Sequence, residues 1–288
     1  MSLLILFLSG LFWAIFDLVR KMALQSQSLS TVIYVTIFSQ LIIFMMSLLL
    51  SKLIISSNDY YPLLIIISFL NLISLYCFLK ALKIQEISMC IPLLSYSPLF
   101  SLIFSKILLD ESLSIAQHVG IIIIFIGSFI LYSKSLHFKD LLYSPFSLIK
   151  NKSAQLMIIV TIIWSAIPVL DKKSLNYTDI YMHGFLQSLL GFLFLFFFIR
   201  HKGEQRIAFI KNKKSFITLI LLIIIGFLAS ITQLFALTIN LVPILEVVKR
   251  ATGILLALFF GYFFFKEDIN KKKVYSITII IIGLSFVI

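Results

Sequence analysis

Residues 13–21 read WAIFDLVRK, and a second version of this stretch, WSAIPVLDK, follows at residues 164–172. The opening tryptophan and the closing lysine both recur after 151 positions. The chain therefore contains one hydrophobic pattern of five apolar spans, written twice. Other landmarks recur in the same order after 155 or 156 positions: Ala81-Leu82 with Ala236-Leu237, Glu111 with Glu267, and Gly127 with Gly283.

The number of spans in each copy decides how the two copies lie in a membrane. Five is odd, so the second copy must enter the bilayer from the opposite side to the first. Inverted repeats of this kind are typical of secondary transporters, whose substrate site lies between the halves near the bilayer midplane. The repeat therefore indicates transport before any single residue is interpreted.

The composition is that of an integral membrane protein. Of 288 residues, 61% are hydrophobic and 12% are charged, and the mean hydropathy is +1.11. A helix needs about 20 apolar residues to cross the hydrocarbon core. The sequence predicts an all-α integral membrane fold of ten transmembrane helices, arranged as inverted five-helix repeats at 1–140 and 154–288 with a connecting loop at 141–153. The predicted spans are 2–24, 31–50, 62–83, 87–108, 115–133, 154–174, 179–200, 215–239, 242–265 and 271–288.

The net charge of +12 is concentrated in the short loops between these spans. Counted together with the adjoining span ends, the loops that follow odd-numbered spans carry 18 lysines and arginines, whereas those that follow even-numbered spans carry 4. This asymmetry is the positive-inside pattern of membrane proteins, so we expect lipid and not nucleic acid as the surroundings. The rule places both termini outside and the loop at 200–214 in the cytoplasm.

Several functional classes find no support in the sequence. Cys77 and Cys90 lie in or beside apolar spans without metal-ligand spacing, so we expect packing roles and no disulfide. The N-terminus lacks the basic segment of a signal peptide, so we expect it to remain as the first span. No Walker A, HExxH, CxxC or GxSxG pattern occurs, and we expect neither an enzyme nor a cofactor.

Two series of landmarks resemble the EamA-type domain of the drug/metabolite transporter superfamily. The resemblance covers both copies and nearly the whole chain. It implies a ten-span transporter of the bacterial inner membrane that moves small organic metabolites, often outward. It also implies cytoplasmic termini, whereas the distribution of positive charge places both termini outside. The matching positions are 76–82, Pro92, 96–98, 108–114 and 120–127 in the first copy, and 235–237, 247–250, Gly261, 264–267 and Gly283 in the second.

The ninth span carries the densest charge within the predicted bilayer. Glu246 precedes Lys249 by three positions and Arg250 by four, so all three side chains can share one helix face. Charged groups in the bilayer face the bundle interior, a partner or a cavity. One interpretation is a cationic substrate site that Glu246 tunes, and the other is mutual neutralisation of acid and base. One acid against two bases favours the substrate site.

The first span carries a second charged stripe, in which Trp13, Asp17 and Arg20 follow helical spacing. Asp17 either lines a cavity, where it binds an amine or a proton, or pairs with Lys21 as a helix anchor. The corresponding position in the sixth span is Pro168. There the predicted role of the acidic and basic residues at 171–173 is an interfacial cluster.

Weaker candidates are polar or aromatic. Trp13 and Trp164 are expected as cavity walls, and Tyr96 and Gln187 as further substrate contacts, although interhelical hydrogen bonding is an alternative. His183 is the kind of side chain that titrates near neutral pH, with a structural role as the alternative. Glu111 and Glu267 are expected to organise tight turns at helix ends.

These observations favour a secondary transporter that works by alternating access. An acid in one half and bases in the other would suit a zwitterion such as an amino acid. The alternatives are a membrane enzyme acting on lipids and an assembly partner that transports nothing. Proton antiport, exchange and facilitated diffusion stay open, as do the direction of transport and the choice between monomer and homodimer.

Overall fold

The computed structural model describes residues 2–85, 90–132, 152–202, 213–266 and 271–288. These ranges contain ten α-helices and no strand. Much of the predicted connecting loop at 141–153, most of the loop at 200–214, and Glu267 lie outside the described residues. The helices are α1 (Ser2–Ser26), α2 (Leu29–Ser47), α3 (Tyr60–Ile84), α4 (Ser97–Leu109), α5 (Ile115–Tyr132), α6 (Lys152–Ser174), α7 (Ile180–Lys202), α8 (Lys213–Ile239), α9 (Val242–Phe265) and α10 (Lys271–Val287).

Length and apolar composition mark six of these helices as long enough to cross a membrane, namely α1, α2, α3, α6, α7 and α8. Shorter apolar stretches lie in α4 and α5, at Ser97–Leu109 and Ile115–Ser128. The all-helical architecture of the predicted fold is confirmed, with each described helix falling on one of the ten predicted spans.

The fourth span differs from the continuous helix predicted at 87–108. A 3₁₀ segment, Ile91–Tyr96, precedes α4, which begins only at Ser97. The cause is visible in the chain, because Pro92 and Pro98 lack the N–H groups that a continuous α-helix would use. Each proline stands near the start of its own helical segment, where that missing donor costs nothing.

The two halves interlock through contacts related by a pseudo-two-fold axis. The most extensive helix pairs all join one half to the other. α1 packs on α8 and α9, and its repeat counterpart α6 packs on α3 and α4. Three further pairs, α2–α7, α4–α9 and α5–α10, each join a helix to its own counterpart, and the pairs α3–α7 and α2–α8 are counterparts of each other. The duplicated sequence therefore folds into a duplicated structure.

Close packing of α5 on α10 shows the same symmetry at the level of atoms. A Cβ on Gly120 would lie 2.7 Å from the Gly283 carbonyl oxygen, and one on Gly127 would lie 3.1 Å from the Ser276 oxygen. Gly127 and Gly283 are repeat counterparts, as are Gly120 and Ser276. Small residues let helix backbones approach closely in a membrane, where packing drives association. The recurring glycines therefore hold the last helices of the two halves together.

Candidate functional site

A cavity of about 110 Å³ lies in the centre of the bundle, between α1, α2 and α3 of one half and α6, α7 and α8 of the other. Three helices from each half, each matched by its repeat counterpart, therefore contribute to the wall. A smaller adjoining cavity shares the central wall and adds residues of α9. Polar and charged side chains that line the larger cavity include Arg20, Gln40, Asn71, Asp171, Gln187 and Gln233.

The two tryptophans of the repeat meet in the wall of both cavities. The ring centroids of Trp13 and Trp164 lie 6.3 Å apart with a tilt of 54°. Trp164 donates its indole N–H to Ser74 Oγ at 2.9 Å. The indole N–H of Trp13 is buried and has no partner among the described residues, because the repeat counterpart of Ser74 is Ala229. The two tryptophans therefore occupy matching positions, but among the described residues only Trp164 has a hydrogen-bond partner for its indole N–H.

The charged residues of α9 form a closed network. Glu246 forms ion pairs with Lys249 and with Arg250, the latter at 3.0 Å between Oε2 and Nη2. Ser97 of α4 donates to the same carboxylate at 3.1 Å and accepts from Arg250 Nε at 2.9 Å. Lys249 also donates to Gln233 Oε1 at 2.8 Å. Both bases therefore have protein partners, and the network joins the two halves.

The two cations of α9 nevertheless form part of the smaller cavity's wall, whereas Glu246 does not. Lys249 Nζ lies 5.5 Å from the ring centroid of Trp13, and Arg250 Cζ lies 5.5 Å from that of Trp164. These distances fit cation–π contacts. Seen from the cavity, the carboxylate of Glu246 thus lies behind Lys249 and Arg250, and each of these two cations lies next to a tryptophan ring.

In α1 the structure places Arg20, and not Asp17, in the cavity wall. Arg20 Nη1 lies 3.1 Å from Asp17 Oδ1, and the guanidinium lies 3.7 Å from the ring centroid of Phe16. The Nε–H of Arg20 is buried without a partner among the described residues. Asp17 therefore pairs with the arginine that lines the cavity, whereas the sequence predicted a substrate contact for Asp17 and none for Arg20.

Asp171 is the acidic residue of the cavity wall, where the sequence predicted an interfacial cluster. Its Oδ1 lies 3.2 Å from His183 Nε2 and accepts from Gln187 Nε2 at 3.1 Å. His183 Nδ1 in turn lies 3.0 Å from the Tyr60 hydroxyl. One signal could have identified Asp171 beforehand, because it lies 151 positions after Arg20 and is its repeat counterpart.

The eight substrate contacts predicted from the sequence divide into two groups. Those that line a cavity are Trp13, Trp164, Gln187, Lys249 and Arg250. Those that line neither described cavity are Asp17, Tyr96 and Glu246. Tyr96 packs edge-on against Phe125, with ring centroids 4.9 Å apart.

Glu111 does more than organise a turn. Its Oε1 lies 2.6 Å from Lys172 Nζ, and its Oε2 accepts the backbone N–H of Val242 at 2.9 Å. A carboxylate at the start of a helix satisfies unpaired N–H groups and complements the helix dipole. Lys172 also donates to the Asn240 carbonyl at 2.7 Å. Glu111 therefore ties the end of the first half's α4 to α6 and α9 of the second.

Comparisons with known proteins agree with this architecture. A solved crystal structure, titled only "Crystal structure of protein", superposes with a TM-score of 0.70 at 14% identity, over 99% of this chain and 95% of the other. That likeness shows the fold. None of the curated proteins matches the chain. The model of the EamA-like transporter family matches residues 1–133 and again 151–288, and the chain therefore belongs to the EamA-like transporter family of multi-pass membrane proteins.

Proposed function

We propose that the protein is a secondary transporter of small organic metabolites and that the central cavity is its substrate site. The observation that carries the proposal is the position of the cavity between matched helices of the two halves. In inverted-repeat transporters the substrate binds at this interface, and rocking of one half against the other exposes the site alternately to each side.

The charges around the cavity favour a zwitterion such as an amino acid or a related compound. Arg20 and Asp171 hold counterpart positions in the two halves and carry opposite charges. Lys249 and Arg250 add cations on the side of α9. A substrate carboxylate would bind near the cations and the unpaired Trp13 N–H, and a substrate amine near Asp171. Opposite charges at symmetric positions would orient such a molecule.

Contacts between the halves tie one end of the cavity, at the α2–α3 and α6–α7 connections. Ser51 donates to Asp179 Oδ2 at 2.7 Å, the Lys52 N–H donates to the same oxygen at 3.0 Å, and the Ser56 N–H donates to the Tyr177 carbonyl at 2.9 Å. Partial burial raises the pKa of the Asp179 carboxyl, but the hydrogen bonds that it accepts outweigh burial and hold the pKa below its usual range. Alternating access at this end requires these bonds to break.

The charge asymmetry of the loops bears on orientation and localisation. It supports a bacterial inner-membrane protein with both termini outside, so that the tied end of the cavity faces outward. An exporter or exchanger in that orientation would bind its solute from the cytoplasm in this conformation. A reporter fused after Ile288 that is active only outside the cytoplasm tests the orientation. If a second reporter that is active only in the cytoplasm gives the signal at this position, the proposed orientation is wrong.

Transport is tested with the purified protein in liposomes against a panel of amino acids and related zwitterions. We expect uptake of at least one solute above that of protein-free liposomes. R250Q and D171N should each reduce that flux by tenfold or more, because each removes a charge from the wall. D110N is the matched control, because Asp110 is exposed and pairs only with exposed Lys106 among the described residues. Normal flux in both cavity variants would show that the site is elsewhere.

A further inference from the structure

Tyr60, His183 and Asp171 form a buried chain of titratable groups between the central cavity and its tied end. The Tyr60 hydroxyl lies 3.0 Å from His183 Nδ1, and His183 Nε2 lies 3.2 Å from Asp171 Oδ1. Tyr60 and His183 are completely buried, and Asp171 is 2% exposed. Tyr60 is the first residue of α3, whereas Asp171 lines the cavity. The chain therefore spans the distance from a helix end to the substrate site.

Asp171 differs from the other buried acids in its ion-pair partner. Asp17 pairs with an arginine, and Glu246 pairs with a lysine and an arginine. Among the described residues, the ion-pair partner of Asp171 is His183 alone. A buried carboxylate without a counter-charge is costly in a membrane. The carboxylate of Asp171 therefore gains a full counter-charge only when His183 binds a proton.

The hydrogen bonds accommodate both protonation states. An ionised carboxylate only accepts, so Nε2 must carry a hydrogen that it donates to Asp171. In neutral His183 the Nδ1 atom accepts the hydroxyl hydrogen of Tyr60. When a proton binds at Nδ1, the Tyr60 hydroxyl turns and becomes the acceptor. The proton comes from a hydronium ion, whose O–H bond breaks as the Nδ1–H bond forms and a water molecule leaves, and the net charge of the His183–Asp171 pair changes from −1 to 0.

Charged and titratable groups of the neighbouring helices complete the electrostatic setting. Lys249 of α9 interacts with Asp171 through space, and Asp179 and Tyr61 face Tyr60. From α2, the apolar ring of Phe44 packs against Gly184, next to His183. The six charged residues that are buried in the described ranges, apart from His183, carry a net charge of zero: Asp17, Asp171, Glu246, Arg20, Lys249 and Arg250. A proton on His183 therefore makes the interior positive by one charge.

We propose that His183 and Asp171, with Tyr60 as hydrogen-bond partner, form the binding site for a coupling proton, an inference that rests on the proposed transport function. Because proton binding adds a positive charge next to the cavity, it strengthens binding of a solute carboxylate and weakens binding of a cation. An anionic solute would then move together with the proton, and a cationic solute in exchange for it.

The test uses the intrinsic fluorescence of the full-length protein in nanodiscs, titrated from pH 8 to pH 5 without any solute. The chain contains two tryptophans, and both line the cavity that Asp171 also lines, so the signal reports on this site. We expect a single sigmoidal transition in the wild type. H183N should abolish the transition, and D171N should change it, because the imidazolium loses its carboxylate partner.

H118N is the matched control, because His118 is exposed at the start of α5 and contacts the Ser114 carbonyl. Its titration should match that of the wild type. If H183N does not fold, nitrogen-15 spectra of histidine-labelled wild type and H118N decide whether a buried histidine titrates in the same range. A wild type without a transition, or a transition that survives in H183N, overturns the proton site. Because no solute is present, either result leaves the flux test of transport function independent.

Discussion

The close approach of α5 and α10 makes Gly283 a sensitive position. A Cβ at this residue would lie 2.8 Å from the Gly120 carbonyl oxygen and 2.8 Å from the Ile124 backbone nitrogen. Both neighbours are backbone atoms that cannot rotate away, so the helices must separate until these distances reach ordinary contact, at least 3.4 Å. Overpacking of this kind costs about 1–3 kcal/mol. We therefore expect G283A to lower the free energy of unfolding by that amount.

Thermal unfolding in detergent, followed with a thiol-reactive dye, measures this effect. Cys77 and Cys90 are free and buried, so the dye labels them only as the bundle opens. G191A is the matched control, because its Cβ would meet only Ile37 Cγ2 at 3.8 Å, an ordinary contact. Alanine also favours a helix over glycine by about 0.5–1 kcal/mol. Equal unfolding temperatures for G283A and G191A would refute the packing argument.

Three further predictions use the same unfolding assay or tryptophan fluorescence. E111Q should cost about 1–3 kcal/mol, because the part-buried ion pair with Lys172 is lost and the single amide oxygen cannot accept from both partners of Glu111. D110N at an exposed neighbour should leave the unfolding temperature unchanged. The pKa of Asp179 in the folded protein is lowered. Its contribution to stability is therefore fully present above the pKa of an aspartate in the unfolded chain, about 3.9. That contribution is lost as the pH falls through the pKa of Asp179 in the folded protein. D179N should therefore reduce the loss of stability measured between pH 5 and pH 3. If D179N and the wild type lose equal stability over this range, the hydrogen bonds of Asp179 do not stabilise the protein. S74A should cost about 1–3 kcal/mol by leaving the Trp164 N–H unpaired, and should shift the emission of that tryptophan in the W13F background.

The spans were predictable because each is a long apolar run, and the bilayer sets its length. Most described helices begin and end within a few residues of the predicted limits. The fourth span was the exception, although the cause was present in the sequence. Pro92 and Pro98 interrupt the ladder of hydrogen bonds, and hydropathy alone does not register a missing donor.

The candidate site was only partly predictable. The structure places the tryptophans, Lys249 and Arg250 in a cavity wall, and their contact with substrate stays a prediction. Asp17 was preferred over Arg20, and Asp171 was assigned to the interface. Spacing shows that Asp17 and Arg20 share a helix face, but not which of them meets the cavity and which lies behind it.

By itself the sequence determined the duplication, the membrane environment and the family, because these depend on the order and length of apolar segments. Only the tertiary structure decided which charges line the cavity and which are neutralised by neighbours. Helices that are apolar on every side carry no amphipathic stripe that indicates their rotation. In a bilayer that rotation is set by close packing and polar contacts between helices. The pairing of Asp171 with His183, from two different helices, therefore became visible only when those helices were packed together.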